Sequence, residues 1–228
     1  MRIPLAKPEI LDSDIDAVVR VLRTPSLAMG PALAEFESAI AACIGTPFAV
    51  AVNSGTSALH LAVRCLNLQE GDEVIVPSFA FAAVANVLLQ ERITPVFVDI
   101  DPRTLNITPA AVEAAVSPRT RAVLVVHTFG YPAEIDTIRE ITRRHKLALI
   151  EDACEALGAE VREKKVGTFG NTATFAFYPN KQITTGEGGI LITADPNIAR
   201  RARLLRSPLP AGTKSYGRGR YSRSHPRA

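Results

Sequence analysis

Apolar positions recur along this chain with two different periods, and the change from one to the other falls near residue 46. Ahead of it, Ile15, Val18, Val19 and Leu22 follow helical spacing after Asp12 or Ser13, either of which suits an N-cap. A Gly30-Pro31 break then precedes a second helical pattern running through Phe36 and Ile40. From residue 48 onward the pattern becomes short β-branched runs: FAVAV, EVIVP, PVFVDI, AVLVVHTF and LALIED. Helical patterns separate them, as at 58–66 and 135–145. Two later runs, ATFAF and GGILITA, predict further strands, and 197–206 predicts a helix with basic residues dominating one side.

Strands alternating with helices imply crossover units and a mostly parallel sheet. Because the strands are almost continuously apolar, both faces of that sheet should be covered, and ligands should collect beyond the carboxyl ends of its strands. The chain therefore divides into an N-terminal helical arm and entry helix (1–45), an α/β domain (46–206) and a tail (207–228). In the tail Pro, Gly, Ser and Arg replace the apolar periodicity, so it should contribute little to a core and is expected to be disordered. A basic arm for nucleic acid or acidic surfaces is one reading of it; a tail without a selected role is the simpler one.

Composition narrows the classes of partner. With 228 residues, 47% of them hydrophobic, the chain can bury one full-sized core. A net charge of only +3 leaves no electrostatic footprint for nucleic acid over the body of the protein and favours a small-molecule partner. Cys43, Cys65 and Cys154 lack metal-ligand spacing and sit within apolar patterns, which predicts buried, reduced thiols, no metal site and a cytoplasmic setting. The start MRIPLAKPEI has no apolar signal core, and no apolar run approaches the roughly 20 residues that span a bilayer.

Three segments carry candidate chemistry. Asn53-Ser54-Gly55-Thr56-Ser57 links FAVAV to a helix, and glycine with hydroxyls at a helix N-terminus can cradle a phosphate, although Ser and Thr there more often serve as simple caps. Asp152, where LALI ends, should emerge at the carboxyl edge of the sheet. There it can cap the next helix, bind a cation or keep a pyridine nitrogen protonated so that the ring draws electrons. Lys181 lies in the glycine-rich loop YPNKQITTGEGG. Most loop lysines are solvated charges, but one held over a cofactor can form a Schiff base with its aldehyde. Phosphate cradle, carboxylate and lysine, in that chain order, match the layout of the large class of pyridoxal-phosphate (PLP) enzymes.

The segments NSGTSALHLA, VIVPSFAFAAVANVL, IEDACEALGA with GTFG, and FAFYPNKQITTGEGGILIT resemble the DegT/DnrJ/EryC1/StrS aminotransferases from about residue 3 to about 206. The resemblance implies the aspartate-aminotransferase-like large domain of fold type I, with PLP as cofactor and transfer of an amino group, commonly from glutamate, to a nucleotide-linked keto sugar in polysaccharide biosynthesis. On that basis Lys181 forms the Schiff base and shuttles the proton, Asp152 pairs with the pyridine nitrogen, Gly55, Thr56 and Ser57 hold the phosphate, and Phe81 lies against the cofactor face. Without the resemblance, Phe81 reads as a core residue of an apolar helix.

Two positions depart from the commonest family pattern. Ala176 replaces a phosphate-binding serine, a loss of about 0.5–1.5 kcal/mol for one hydrogen bond. Glu155 replaces a glutamine near the cofactor hydroxyl. Lys181 argues against the related dehydratases, which carry histidine there. Complete relatives continue into a smaller C-terminal domain and act as homodimers, so the small domain is expected to be missing here. An inactive or regulatory homologue is the alternative reading.

Overall fold

The computed structural model of the chain describes residue 4 and residues 6–207; the disorder expected of the tail falls almost wholly outside the described residues. Two helices, α1 (Asp12–Leu22) and α2 (Pro31–Ile44), lead into β1 (Phe48–Val52), α3 (Gly55–Cys65), β2 (Glu73–Pro77), α4 (Ala83–Gln90) and β3 (Thr94–Val98). The chain continues through α5 (Pro109–Ala115), β4 (Thr120–Val126), α6 (Ile135–His145) and β5 (Ala148–Asp152). A small hairpin, β6 (Glu160–Val161) and β7 (Lys164–Lys165), precedes β8 (Thr172–Ala176), β9 (Gly189–Thr193) and α7 (Pro196–Arg206). Among the described residues the main sheet has seven strands in the order β1-β9-β8-β5-β4-β2-β3. Its interior pairings β3–β2, β2–β4, β4–β5 and β5–β8 are parallel, and β9 runs antiparallel to both neighbours.

Period-two alternation sends neighbouring residues to opposite layers. Val74 and Val76 pack with Leu59, Val63 and Val87 under α3 and α4, whereas Ile75 joins Val123, Ile135 and Ile138 under α6. A third cluster sets Ile40 and Ile44 of α2 against Ala49, Phe175 and Ile190. Each large side chain buried in this way contributes about 1.5–3 kcal/mol, so packing rather than helix propensity holds these elements.

Edge strand β1 is sealed by side chains. The outward Ala51 N–H donates to Glu37 Oε1 at 2.9 Å, the Ala51 carbonyl accepts from Arg206 at 3.0 Å, and Arg206 and Glu37 form an ion pair. Helices α2 and α7 are thereby pinned to the sheet.

Several expectations are corrected. Residue Leu11 is the N-cap of α1, so Asp12 and Ser13 are its first helical residues; the Asp14 carboxylate reaches back to the Leu11 amide at 2.9 Å. Helix α3 starts at Gly55, three residues ahead of the apolar pattern, because the Ser54 hydroxyl accepts from the Ser57 amide at 3.1 Å and stabilises a first turn of poor helix formers. Strand β3, at the other sheet edge, is not covered on both faces, and its Phe97 is exposed. Cys43 is exposed and Cys154 half-buried, leaving only Cys65 in the core; all three are free thiols. No helix among the described residues is long and apolar enough to cross a membrane.

Candidate active site

The carboxyl ends of β1, β2, β4, β5 and β8 open onto one edge of the sheet, and the loops there carry the predicted residues. The start of α3 lies against the far end of the lysine loop: a side chain on Gly189 would collide with the Ser54 carbonyl and the Gly55 amide, so that close approach requires glycine. A Cβ on Gly55 would come within 2.7 Å of Ala176 Cβ and 3.2 Å of Cys154 Sγ. Strand β8, the segment after β5 and the helix N-terminus therefore meet at Gly55.

Lys181 Nζ donates to Glu155 Oε1 at 3.0 Å, and its side chain is only 16% exposed, so it is not the solvated charge typical of a loop lysine. The Lys181 amide also donates to the Tyr178 carbonyl, closing a turn. Asp152, the last residue of β5, accepts from the Cys154 amide at 3.1 Å. Burial pushes its pKa above the ordinary 3.8, against the opposing pull of the Cys154 hydrogen bonds and of His127 and Lys181. A carboxylate so placed is stabilised by an arriving cation. Burial also pushes the Cys154 thiol well up, so it stays protonated beside Asp152.

At the start of α3 the Ser57 amide donates to Ser54 Oγ at 3.1 Å and the Ser54 hydroxyl donates to Ser57 Oγ at 2.9 Å, which leaves the Ser57 hydroxyl proton free. The Gly55 and Thr56 amides have no protein acceptor among the described residues. Phe81 belongs to the loop ahead of α4, not to the helix, and is 80% exposed, which overturns the core reading. Lys181, Glu155, Asp152 and Gly55 thus fall into one connected group, with Thr56 and Ser57 in the adjoining turn. A cavity of about 710 Å³ between α3, α7 and the loop before α2 is reached, among these residues, by Ser57 alone, so it is a neighbouring space. No cluster among the described residues is suited to a metal ion.

The sequence did not single out three participants. Glu151 is fully buried and accepts from the amides of Gly167, Phe169 and Gly170 and from His127. His127, also fully buried, accepts from the Ala133 amide through Nδ1, which leaves Nε2 to carry the proton. Phe129 adopts φ 52°, and its amide donates to Glu155 Oε2 at 3.0 Å. The adjacency of Glu151 to Asp152 was the available signal for the first; nothing in the sequence marks the Phe129 conformation.

Two unsatisfied amides at a helix N-terminus, a half-buried carboxylate with a raised pKa and a nearby amine suit a phosphorylated pyridine aldehyde. With the sheet order, they define the large domain of a fold-type-I PLP-dependent transferase. The chain belongs to the DegT/DnrJ/EryC1/StrS aminotransferase family, which matches residues 8–225. GDP-perosamine synthase of Caulobacter vibrioides is 46% identical over 206 residues, 90% of this chain and 56% of that protein. PseC of Helicobacter pylori, an aminotransferase involved in pseudoaminic acid biosynthesis, superposes with a TM-score of 0.87 at 34% identity, over 90% of this chain and 55% of that one. The PLP form of the putative sugar aminotransferase Spr1654 from Streptococcus pneumoniae gives 0.86 at 27% identity, over 90% and 58%. The chain spans about half the length of the relatives it matches.

Proposed function

We propose that this chain carries the cofactor-binding half of a PLP-dependent aminotransferase that moves an amino group from an amino acid, glutamate in the first instance, to a nucleotide-linked keto sugar. The observation that carries the reading is the meeting of Lys181 and the Asp152–Glu155 segment at the carboxyl edge, beside the open amides of α3. When bound, PLP supplies an aldehyde that takes up the donor's amino group and a ring that stores the electron pair left as the donor's α proton departs.

Each protein group then has a task. Lys181 would hold the cofactor through Nζ, and its amine, when free, would act as the base and acid that moves the donor's α proton. Asp152 would pair with the ring nitrogen and keep it protonated, in surroundings that strengthen such a pairing. Gly55 and Thr56 would bind the phosphate through their open amides, and Thr56 and Ser57 through their hydroxyls, at the positive end of the α3 dipole. Phe81 would cover one ring face, and Glu155 lies next to the lysine. Ala176 packs against Gly55 and offers the phosphate no hydroxyl.

The reading includes a cytoplasmic site of action and a homodimer. Ile15, Val18 and Leu22 on α1 are 52%, 59% and 63% exposed, an apolar face suited to a second copy. The second reading is a cofactor-binding homologue that does not turn over.

A half-reaction separates the two. PLP-loaded chain mixed with glutamate should release one equivalent of 2-oxoglutarate, and Lys181→Ala should release none. Bound PLP with no 2-oxoglutarate would establish the second reading. Nucleotide-linked keto sugars added afterwards test the acceptor.

A further inference from the structure

We infer that Glu155 is a positioning residue that ties Lys181 to the Phe129 turn, so that the lysine and the aromatic rim of the site are held by one carboxylate. The inference deepens the PLP reading, and only the purpose of Lys181 depends on that reading.

The geometry is that of a two-sided clamp. Oε1 of Glu155 accepts from Lys181 Nζ at 3.0 Å, and Oε2 accepts from the Phe129 amide at 3.0 Å. The backbone takes part as well: the Glu155 carbonyl accepts from the Gln182 side-chain amide, and a Cβ on Gly130 would come within 2.9 Å of that same carbonyl oxygen. Consecutive residues of the lysine loop are therefore bonded to Glu155, and consecutive residues of the 128–130 turn lie against it.

That turn needs holding. Phe129 sits at φ 52° and Gly130 at φ 83°; the glycine adopts this conformation readily, but a phenylalanine does so only when its surroundings impose it. The phenyl ring of Phe129 meets Phe79 edge-on at 6.2 Å, and Phe79 lies two residues ahead of Phe81. Through Glu155, the position of Lys181 is thus connected with that of the exposed aromatic residues beside it.

A glutamine in this position would offer one acceptor oxygen and a donor group, whereas a carboxylate offers two acceptor oxygens. Glutamate can therefore serve Lys181 and Phe129 together. Glutamine must choose, and the fixed backbone amide of Phe129 is the better-placed partner, leaving an NH2 group turned toward the ammonium.

The test uses the cofactor-free full chain and two readouts a merely structural role would not separate. One is competitive acetylation of Lys181 against exposed Lys146; the other is hydrogen exchange at the Phe129 amide, with the buried Leu124 amide of β4 as an internal control for unfolding. In Glu155→Gln, Lys181 acetylation should rise about tenfold while Phe129 exchange stays within about twofold of the parent chain. In Glu155→Ala both should rise about tenfold or more, with Leu124 unchanged. Unchanged Lys181 acetylation in the Gln variant, or Phe129 exchange that rises only together with Leu124 in the Ala variant, would overturn the clamp. Failure of the parent chain to retain PLP would instead strike the cofactor reading and leave both readouts interpretable.

Discussion

Glu151 and Asp152 are neighbours at the end of β5, yet their side chains leave the strand on opposite faces and meet opposite surroundings. Glu151 is enclosed and saturated: three backbone amides at 2.6–2.8 Å and His127 at 3.2 Å satisfy it. Asp152 is under-satisfied, drawing its hydrogen bonds from Cys154, and burial raises its pKa. A fully buried carboxylate that already has its donors is structural, whereas a half-buried one short of donors is suited to a cation. The proposed site lies on the second face.

The largest effect should come from breaking the structural half. Replacing Glu151 with Ala leaves the amides of Gly167, Phe169 and Gly170 without their acceptor, and should cost about 3–5 kcal/mol in a urea melt. Asp152→Asn should act in the reverse sense, weakening PLP binding by about 2–4 kcal/mol in a titration while changing the melt of the cofactor-free chain by less than about 1 kcal/mol. Equal destabilisation by both variants would erase the distinction.

Acidity sharpens the comparison. A carboxyl whose pKa is raised on folding holds its proton more tightly in the folded state, so its ionisation costs stability as pH rises above the ordinary 3.8 and up to the raised value. Pairing with the ring nitrogen requires the ionised form. PLP retention should therefore fall as the solution is acidified through that raised value, at a higher pH than for an ordinary aspartate, and Asp152→Asn should flatten the profile. Smallest in effect is thiol labelling: iodoacetamide should modify exposed Cys43 first and Cys65 only on unfolding, since Cys65 is buried and its pKa is pushed up to about 11.

Much of the sheet was legible because its strands are apolar runs closed by polar turns, and α6 coincides with its periodic segment 135–145. Two kinds of feature were not. The start of α3 depends on a cap from Ser54 rather than on periodicity, and the exposure of Phe81 depends on the loop that carries it ending before α4 begins. Within the site, Lys181, Asp152 and the Gly55–Ser57 turn could be picked out by residue type and position. The cage around Glu151 and the Phe129 turn could not, since both rest on backbone amides brought from distant segments. Glu155 was visible only as a departure from the commoner glutamine.

The central claim is that Lys181 is the residue that captures PLP. The direct measurement is an absorbance spectrum of the full chain with PLP, followed by borohydride reduction and peptide mapping by mass spectrometry, alongside Lys181→Ala. The account predicts a visible band that reduction abolishes, a stable pyridoxyl adduct on the peptide containing Lys181, and neither in the variant. A folded chain that yields no adduct, or one whose adduct maps to another lysine, would contradict it.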